Sequence, residues 1–305
     1  MYKRIMNYIR RPKNVLIGII DHLGRYLSDE RFLKYEYYLH TGEKLNLESP
    51  STYNEKLQWL KLYDRQPIYT TMVDKYLVKE YVSKIIGEKY IIPTYGVWET
   101  FDEIDFSTLP NEFVLKTTNG GGSTGVIVCK DKKTLNIHSA KKRLVKSMQS
   151  NIYDISREWP YKNVKPRIIA EKYLVDESGY ELKDYKVFCF NGVPKMIDVD
   201  YNRSTHHQRN LYTPKWERIH ATLGYSSDND REIDKPIVLD EMLKCAMTLA
   251  QGIPHVRVDF YVIHETLFFG ELTFYHGRGY EVTHPKEFGK QMGDWLVLPN
   301  KEKLS

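Results

Sequence analysis

A glycine-rich segment between two apolar runs is the part of this sequence best suited to binding an anion. Residues 117–125 place four glycines within six positions and also carry hydroxyl side chains. Without Cβ atoms, successive backbone N–H groups can converge on anionic oxygens. Lys116 directly precedes the segment and supplies a full positive charge. The candidate phosphate ligands in the segment are Gly120, Gly121, Gly122, Ser123 and Thr124.

The residues around these glycines differ from two common phosphate-binding loops. No Gly-Lys-Ser/Thr follows the glycines, as a Walker A loop requires. Residues 126–128 are β-branched, so a strand follows where a dinucleotide-binding loop needs a helix. We therefore predict a hairpin of strands 113–116 and 126–128 joined by the glycine-rich segment. A mobile hairpin tip without a ligand is the alternative.

Two carboxylates near the end of the chain suggest a metal site. Asp259 lies inside the apolar run 256–262, and Glu271 lies at the end of a second run, 267–272. An acidic side chain in such a strand is costly to bury unless something pairs with it. Two carboxylates on neighbouring strands offer the hard oxygen ligands that Mg²⁺ prefers, with phosphate oxygens completing its shell. The alternative is that Arg257 or a lysine simply neutralises them.

A third group of candidate residues lies at the end of a predicted strand, 167–175, and after it. The end of a strand beside an apolar cleft can present backbone groups to an adenine edge, and we predict this for Glu171, Lys172, Tyr173 and Leu174. Asp184 is a candidate for a ribose hydroxyl and Lys186 for a phosphate. Solvated charge on strand edges is the alternative for all of them.

Hydrophobic periodicity predicts the helices and strands that must position these residues. Residues 29–86 are expected to be helical, with one helix over 54–63 and another from Asp74 to Ile86, where Gly87 ends it. Three further helices are expected at 134–150, 238–250 and 286–296. The remaining strands are expected at 185–190 and 193–199, joined by Asn191-Gly192, and at 256–262 and 267–272.

The order of these elements predicts an α+β fold. Strands occur as adjacent pairs rather than in strict alternation with helices, which favours antiparallel sheets over a doubly wound sheet. Residues 202–235 are polar and are expected to form a loop.

Composition limits the classes of function. The 305 residues carry 45 basic and 40 acidic side chains, a net charge of +5 that is too small to indicate a nucleic-acid partner. Cys129, Cys189 and Cys245 form no C-x-x-C pair, so we expect buried thiols rather than a zinc or disulfide framework. No run approaches the roughly 20 apolar residues of a membrane span. Residues 1–13 are basic and amphipathic, which fits a surface helix or a helix on an anionic membrane.

Taken in chain order, these groups of residues resemble the ATP-grasp superfamily over roughly residues 71–300. The closer resemblance is to its TupA-like branch, which belongs to teichuronopeptide biosynthesis in bacterial surface-polysaccharide gene clusters. Four phrases carry it: Tyr53–Trp59, Lys116 with the glycine-rich segment, Asp184–Phe188 and Glu271–Phe274.

The resemblance implies an ATP-grasp fold, in which two α+β lobes with antiparallel sheets clasp ATP. The lobes are expected at about 71–170 and 171–305, after a mainly helical N-terminal region at 1–70. It implies that Lys75 and Lys116 contact ATP phosphates and that the glycine-rich segment closes over the β- and γ-phosphates as a lid.

The resemblance also implies roles for the remaining candidates. Glu171–Leu174 would be the adenine hinge, and Asp184 would hold the ribose. Asp259 and Glu271 would bind Mg²⁺. Many ATP-grasp enzymes place Asn two residues after the metal-binding Glu, but this chain has Thr273 there, which puts a second metal ion in doubt.

The segment 202–210 offers further cations. ATP-grasp ligases often present an arginine to the transferring phosphate, sometimes beside an asparagine, and Arg203, Arg209 and Asn210 are candidates here. The residues expected to stabilise the charge in transfer are Lys116, Arg203, Arg209 and Arg257. His206-His207 suggests a metal ligand pair, but without a third ligand at fixed spacing an exposed polar loop is the better interpretation.

The resemblance implies an ADP-forming carboxylate–amine ligase. A carboxylate attacks the γ-phosphate, and an amine then displaces phosphate from the resulting acyl phosphate. The expected substrates are ATP, an acidic sugar or polysaccharide precursor, and an amino acid or amine, with Mg²⁺ as cofactor. We expect the protein in the bacterial cytoplasm, with membrane contact through its basic N-terminus as an option and no nucleic-acid partner.

Three alternatives remain at this point. Asp198-Val199-Asp200 is a D-x-D triplet, which holds a metal and a sugar nucleotide in many glycosyltransferases. An ATP-grasp kinase that phosphorylates a glycan hydroxyl would share every ATP contact. A non-catalytic scaffold in polysaccharide assembly would not need Lys116, Asp259 and Glu271 together.

Overall fold

The N-terminal part of the described chain is mainly helical. The computed structural model describes residues 24–179, 181–202, 205–228 and 231–303. Helix α2 begins with a capping box in which the Thr52 hydroxyl and the Glu55 carboxylate bind each other's backbone N–H groups. The Asp74 carboxylate accepts hydrogen bonds from the backbone N–H groups of Tyr76 and Leu77, and the next long helix begins at Leu77, after this turn. The helices of this region are α1 (Asp29–Thr41), α2 (Tyr53–Tyr63), α3 (Ile68–Val73) and α4 (Leu77–Ile86).

The first sheet contains the predicted glycine-rich hairpin. Its four strands are all antiparallel, in the order β1, β4, β2, β3. Helix α5 (Ile137–Met148) packs on it around Leu144, and the short helix α6 (Ile152–Ser156) follows. The strands are β1 (Thr94–Trp98), β2 (Phe113–Thr117), β3 (Val126–Cys129) and β4 (Ile168–Lys172).

The second sheet is larger and also antiparallel throughout. Its order is β11, β10, β5, β6, β7, β8, with α7 (Leu239–Leu249) packed against β5, β6 and β10. Asn191 and Gly192 form the predicted tight turn, with φ values of 48° and 81°. The strands are β5 (Asp184–Phe190), β6 (Val193–Tyr201), β7 (Gln208–Tyr212), β8 (Arg218–Ile219), β10 (His255–Ile263) and β11 (Thr266–Thr273).

Two antiparallel sheets with helices packed on them confirm the predicted α+β class. A small pair of strands, β9 (Thr222–Leu223) and β12 (Thr283–His284), precedes the last long helix, α8 (Lys286–Trp295). The expectation of a loop over 202–235 was wrong, because β7, β8 and β9 lie within it. Strand β7 places Arg209 and Asn210 in the interior, and their buried ion pairs and hydrogen bonds replace the apolar alternation that marks most strands.

Helix α2 contributes to the core of the second sheet. Tyr53, Leu57 and Leu60 are buried and belong to one apolar cluster with Phe188, Phe190 and Val258 of β5 and β10. The hydroxyl of Tyr53 bonds the Nε2 atom of His255 at 3.0 Å, while Nδ1 of the same ring donates to a backbone carbonyl. The N-terminal helical region and the second sheet therefore share one packed interior.

One expectation based on composition is confirmed, and another concerns residues outside the described ranges. Cys129, Cys189 and Cys245 are free, buried thiols, as predicted. The basic amphipathic helix expected at 1–13 lies outside the described residues. Within the described ranges, no helix has the length and apolar character needed to cross a membrane.

Candidate active site

One face of the second sheet carries an unusual concentration of charge. Residues directly opposite each other on antiparallel strands share a face. The register opposes Asp184 to Asp200, Lys186 to both Asp198 and Asp259, Asp200 to Arg209, and Asp259 to Glu271. The other face carries fully buried valines, including Val187, Val199 and Val258. A charged face inside a folded chain is costly unless its groups pair with one another or with a ligand, and clusters of this kind concentrate at functional sites, so this face marks the candidate site.

A cavity lies between the charged face and the glycine-rich segment of the first sheet. Its volume is about 570 Å³, which is within the usual range for small-molecule sites. The first sheet contributes Asn119, Gly120, Gly121, Gly122 and Thr124, and the second contributes Asp184, Lys186, Asp200, Arg209, Arg257, Glu271 and Thr273. Candidate residues that are far apart in the sequence thus line one cleft.

The glycine-rich segment is fixed at both ends. The Thr117 hydroxyl bonds the Ser147 hydroxyl at 2.8 Å, and the Asn119 amide donates to the carbonyls of α5 and the turn after it. A Cβ atom at Gly125 would lie 2.3 Å from the Ser147 Oγ, so the close packing of the base requires glycine there. Gly122 has a φ of 58°, which glycine adopts at little cost. The segment therefore presents its backbone to the cleft from an ordered base.

Two lysines beside the segment share one buried carboxylate. The Nζ atoms of Lys79 and Lys116 lie 2.5 and 2.6 Å from the two Glu171 oxygens. Burial raises the pKa of Glu171, but the two lysines outweigh it and bring that pKa to about 2. The Glu171 side chain therefore holds Lys116 in place. The residues proposed for the adenine hinge, 171–174, do not line the cavity described above.

Arg257 and Lys75 surround the two candidate metal ligands. The Arg257 guanidinium donates to both Asp259 oxygens at 2.6 Å and to the Thr273 hydroxyl at 3.1 Å. Lys75 Nζ lies 2.7 Å from a Glu271 oxygen. Burial raises the pKa of Asp259 to about 6 although Arg257 opposes the change, whereas Lys75 and Arg257 hold the pKa of Glu271 well below its usual range. The cations thus balance the carboxylates, as the alternative interpretation held.

The same carboxylates fit a Mg²⁺ ion that also binds phosphate. Asp259 and Glu271 are directly opposed across β10 and β11, and Glu271 and Thr273 line the cavity. Among the described residues, no three His, Cys, Asp or Glu side chains form a metal cluster. A protein that supplies two carboxylates and leaves the other positions to phosphate and water meets the usual needs of Mg²⁺. The Thr273 hydroxyl is engaged by Arg257.

Arg209 lies at the other side of the charged face. Its guanidinium reaches Asp198 at 2.9 Å, Asp200 at 2.8 Å and Glu281 at 2.9 Å. Arg209 thus lines the cleft. Arg203 lies outside the described residues.

Two expectations for the neighbouring residues need correction. Asn210 points to the opposite side of β7, where its amide bonds the Arg231 carbonyl and the Arg218 guanidinium, because successive strand residues alternate between faces. His206 is exposed, but His207, directly before β7, is only partly exposed, since its Nε2 is 3.0 Å from Asp200 and its ring packs 3.8 Å from the Tyr225 ring. A loop interpretation could not anticipate the strand after His207, which brings it to the cleft.

His276 and Glu281 are site residues that the sequence patterns did not indicate. His276 is buried between Arg257, which donates to its Nδ1, and Glu281, which lies 2.7 Å from its Nε2. Burial lowers the pKa of His276 to about 4, so the ring is neutral with its proton on Nε2. The sequence gives only one indication of their role, which is that both lie within ten residues after Glu271.

Helix α2 holds the turn that contains these residues. The Gln58 amide donates to the carbonyls of Arg278 and Gly279 at 3.1 and 2.9 Å, and the Lys61 ammonium donates to the Arg278 carbonyl at 2.8 Å. Asn54 donates to the Glu281 carbonyl at 2.9 Å. The polar residues of the Tyr53–Trp59 phrase and the lysine after it therefore support one wall of the cleft.

The D-x-D triplet is not arranged as a metal site. Asp198 is fully buried and lies 2.9 Å from Arg209, and burial raises its pKa well above the usual value. Asp200 lines the cavity but is engaged by Lys186, His207 and Arg209. The triplet is part of the ion-pair network behind the cleft.

Comparison with known families agrees with this architecture. Residues 55–297 match the family model described as TupA-like ATP-grasp. That match covers most of the chain, so the chain belongs to the TupA-like ATP-grasp family and has an ATP-grasp fold. No curated protein matches the chain significantly.

Several solved structures are similar to this chain at low identity. D-alanine–D-alanine ligase from Bacillus anthracis, complexed with ATP, is 16% identical over 67% of this chain and 54% of that chain, with a TM-score of 0.40. The Helicobacter pylori D-alanine–D-alanine ligase is 16% identical over 82% and 68%, with a TM-score of 0.42. N5-carboxyaminoimidazole synthetase from Staphylococcus aureus, complexed with ADP, is 16% identical over 83% and 61%, with a TM-score of 0.44. The chain spans about half the length of the first of these.

Proposed function

We propose that this protein is an ATP-dependent ligase that activates a carboxylate and transfers it to an amine. The observation that carries the proposal is the cleft itself, which joins the glycine-rich segment to the charged face of the second sheet. The lining combines the glycine-rich backbone, the fixed cations Lys186, Arg209 and Arg257, and Glu271, which lies directly opposite Asp259 on the neighbouring strand. These are the groups that phosphoryl transfer requires, since catalysis there depends on charge neutralisation and alignment.

Each group has a proposed task. Lys75, Lys116 and the backbone of the glycine-rich segment would bind the phosphates of ATP. Asp184 would hold the ribose, and Lys186 would add a charge near the phosphates. Mg²⁺, held by Asp259 and Glu271, would neutralise phosphate charge. Residues 171–174 remain the proposed adenine hinge, through their backbone groups.

The two arginines in the cleft support the first chemical step. Arg257 and Arg209 are each held by carboxylates in fixed orientations, so they can offer charge without further ordering. In the proposed step, a substrate carboxylate attacks the γ-phosphate to give an acyl phosphate and ADP. The glycine-rich segment would close over the site and exclude water, which protects the acyl phosphate from hydrolysis.

We propose that an amine then displaces phosphate to form an amide. The family resemblance supports an acidic sugar of a bacterial surface polysaccharide as the carboxylate substrate and an amino acid or amine as its partner. The cytoplasmic location and the membrane contact through residues 1–13 are parts of the same proposal.

Calorimetric titration tests the nucleotide half of the proposal. The full chain would be titrated with a non-hydrolysable ATP analogue, with and without Mg²⁺, and separately with UDP and a UDP-sugar. We expect Mg²⁺-dependent binding of the ATP analogue alone. Binding of the UDP compounds in its place would overturn the proposal and favour a glycosyltransferase.

Measurement of ADP release tests the second half of the proposal, the transfer to an amine. Acidic sugars would be incubated with ATP, with and without amines, and ADP would be measured. Amine-dependent ADP release supports the ligase. ADP release together with a phosphorylated sugar hydroxyl, independent of any amine, would identify a kinase and contradict amide formation.

A further inference from the structure

The lining of the cleft includes two charged side chains that the proposed ATP site does not use. Glu158 follows α6, and Arg278 lies in the turn after β11; both line the cavity, and Arg278 is close enough to Glu158 to act on its charge. The same lining also includes Ile152, Ile155, Ser156, Tyr161 and Tyr275. The cleft therefore offers one further acidic and one further basic group together with apolar side chains.

Glu158 is a buried carboxylate with few partners. Only 7% of its surface is exposed, and within the described part of the chain its carboxylate accepts one hydrogen bond, from the Ser156 hydroxyl at 2.8 Å, and forms no ion pair. A carboxylate in such a place is costly unless a cation or donor completes its surroundings. Burial raises the pKa of Glu158, although the nearby Lys61 and Arg278 oppose the change.

Lys61 does not serve as a close counter-ion for Glu158. The Lys61 ammonium is fully buried and donates to the Arg278 carbonyl at 2.8 Å. Burial lowers the pKa of Lys61, although the Glu158 charge opposes the change, and no ion pair joins the two side chains. The Glu158 carboxylate thus keeps the capacity to bind another cationic group.

Arg278 is held in a conformation that residues other than glycine rarely adopt. Gly277, Arg278 and Gly279 have φ values of 54°, 57° and 69° in succession. A left-handed conformation is unfavourable for an L-residue that has a side chain. Gln58 and Lys61 fix the turn through its carbonyls, while the Arg278 side chain is exposed and makes no hydrogen bond or ion pair with another described residue. A strained backbone with a free guanidinium in a cleft indicates a ligand-binding role.

We propose that Glu158 and Arg278 form a binding site for a free α-amino acid. Glu158 receives the ammonium group, Arg278 receives the carboxylate, and the apolar residues of the lining accommodate the rest of the molecule. This inference rests on the proposed ligase function and identifies its amine substrate as a zwitterion. It also explains why an acid and a base face one small volume without pairing directly.

Binding measurements on the full chain test the inference. The twenty common L-amino acids would be screened by saturation-transfer NMR, with and without the ATP analogue, and any ligand titrated by calorimetry. We expect at least one amino acid to bind. Its decarboxylated amine and its deaminated acid should each bind at least tenfold more weakly, because each loses one of the two ionic contacts.

Substitutions test whether Glu158 and Arg278 form the amino-acid site. Arg278→Gln and Glu158→Gln should each lower the affinity for that amino acid at least tenfold while leaving ATP-analogue binding unchanged. Arg31→Gln is the matched control, since Arg31 is an exposed arginine on α1. Because Arg278 is exposed, its variant should fold even if the Glu158 variant does not.

The outcomes separate this inference from the proposed function. An ATP analogue that binds while no amino acid does would overturn the amino-acid site alone. Amino-acid binding without ATP-analogue binding would overturn the ligase proposal alone. Equal binding of the deaminated acid, or unchanged affinity in the Arg278 variant, would also overturn the site.

Discussion

At the scale of single residues, Glu171 shows how the protein orients the lysine that we propose to be catalytic. A free lysine side chain samples many rotamers, and ordering it costs free energy. Here a buried carboxylate holds Lys116 on one oxygen and Lys79 on the other. The charge that we propose meets a phosphate is therefore already oriented, which is the condition for strong electrostatic stabilisation.

Removal of the Lys116 charge should abolish most of the activity. We expect Lys116→Ala to lower kcat by about 10²–10³-fold, the usual loss when one charge-stabilising donor is removed. ATP-analogue affinity measured by calorimetry should fall with it. Lys142→Ala, an exposed lysine on α5, is the control. Equal kcat values in the two variants would remove Lys116 from the mechanism.

Glu171 should also give the protein a defined dependence of stability on pH. The pKa of Glu171 is about 2 in the folded protein and that of an ordinary glutamate is about 4.5, so its stabilising effect is complete above pH 4.5 and is lost as the pH falls toward 2. We expect Glu171→Gln to cost about 3 kcal/mol at pH 7. Urea unfolding of both proteins between pH 7 and pH 3 measures this. The prediction fails if the difference between the two proteins stays constant below pH 4.5.

At the scale of elements, α2 supports the cleft wall from outside the two sheets. Its polar side chains bind the carbonyls of the turn that follows β11. These contacts require a very close approach, because a Cβ atom at Gly279 would lie 2.3 Å from the Gln58 amide nitrogen. The helix therefore determines the conformation of a turn more than two hundred residues away in the sequence.

Substitution of Gly279 should reveal this contact. Gly279→Ala combines a φ of 69° with the clash against α2. Gly252→Ala is the matched control, because Gly252 has a similar φ of 76° but open space around it. We expect Gly279→Ala to lower the free energy of unfolding by at least about 1 kcal/mol more than Gly252→Ala, the usual range for overpacking. Equal losses in urea unfolding would mean that α2 adapts without cost.

At the scale of the whole molecule, we propose an ATP-grasp domain over 71–305, with lobes near 71–170 and 171–305. The two sheets, joined by the segment between β4 and β5, fit this division. The region before residue 71 is nevertheless packed into the second sheet through α2. We therefore expect the proposed domain to depend on this region for its stability.

A chain that begins at residue 71 should not fold cooperatively. Burial of Tyr53, Leu57, Trp59 and Leu60 contributes roughly 1.5–3 kcal/mol for each side chain, which together rivals the 5–15 kcal/mol of a typical protein's stability. Circular dichroism during urea unfolding, with the full chain for comparison, measures the effect. A sharp transition near the full-length midpoint would show that residues 71–305 are an independent unit.

Local patterns in the sequence were sufficient for the class of fold and for several parts of the site. Alternating apolar residues and the Asn191-Gly192 turn predicted the paired strands, because those signals depend on neighbours in the chain. The glycine-rich segment, Lys116, Asp259 and Glu271 could be named as candidates because clustered glycines suit anion binding and a carboxylate inside an apolar strand needs a partner.

Only the tertiary structure decided how these residues meet and which others join them. Strand β7 was not predicted, since its buried Arg209 and Asn210 are stabilised by polar groups of other segments. Glu171 holds Lys116 because of sheet pairing, and Glu158 and Arg278 line one cleft although 120 positions separate them in the sequence. Such contacts depend on register and packing between distant segments, so the sequence determined the local elements and their chemistry, and the folded chain decided the site that they form.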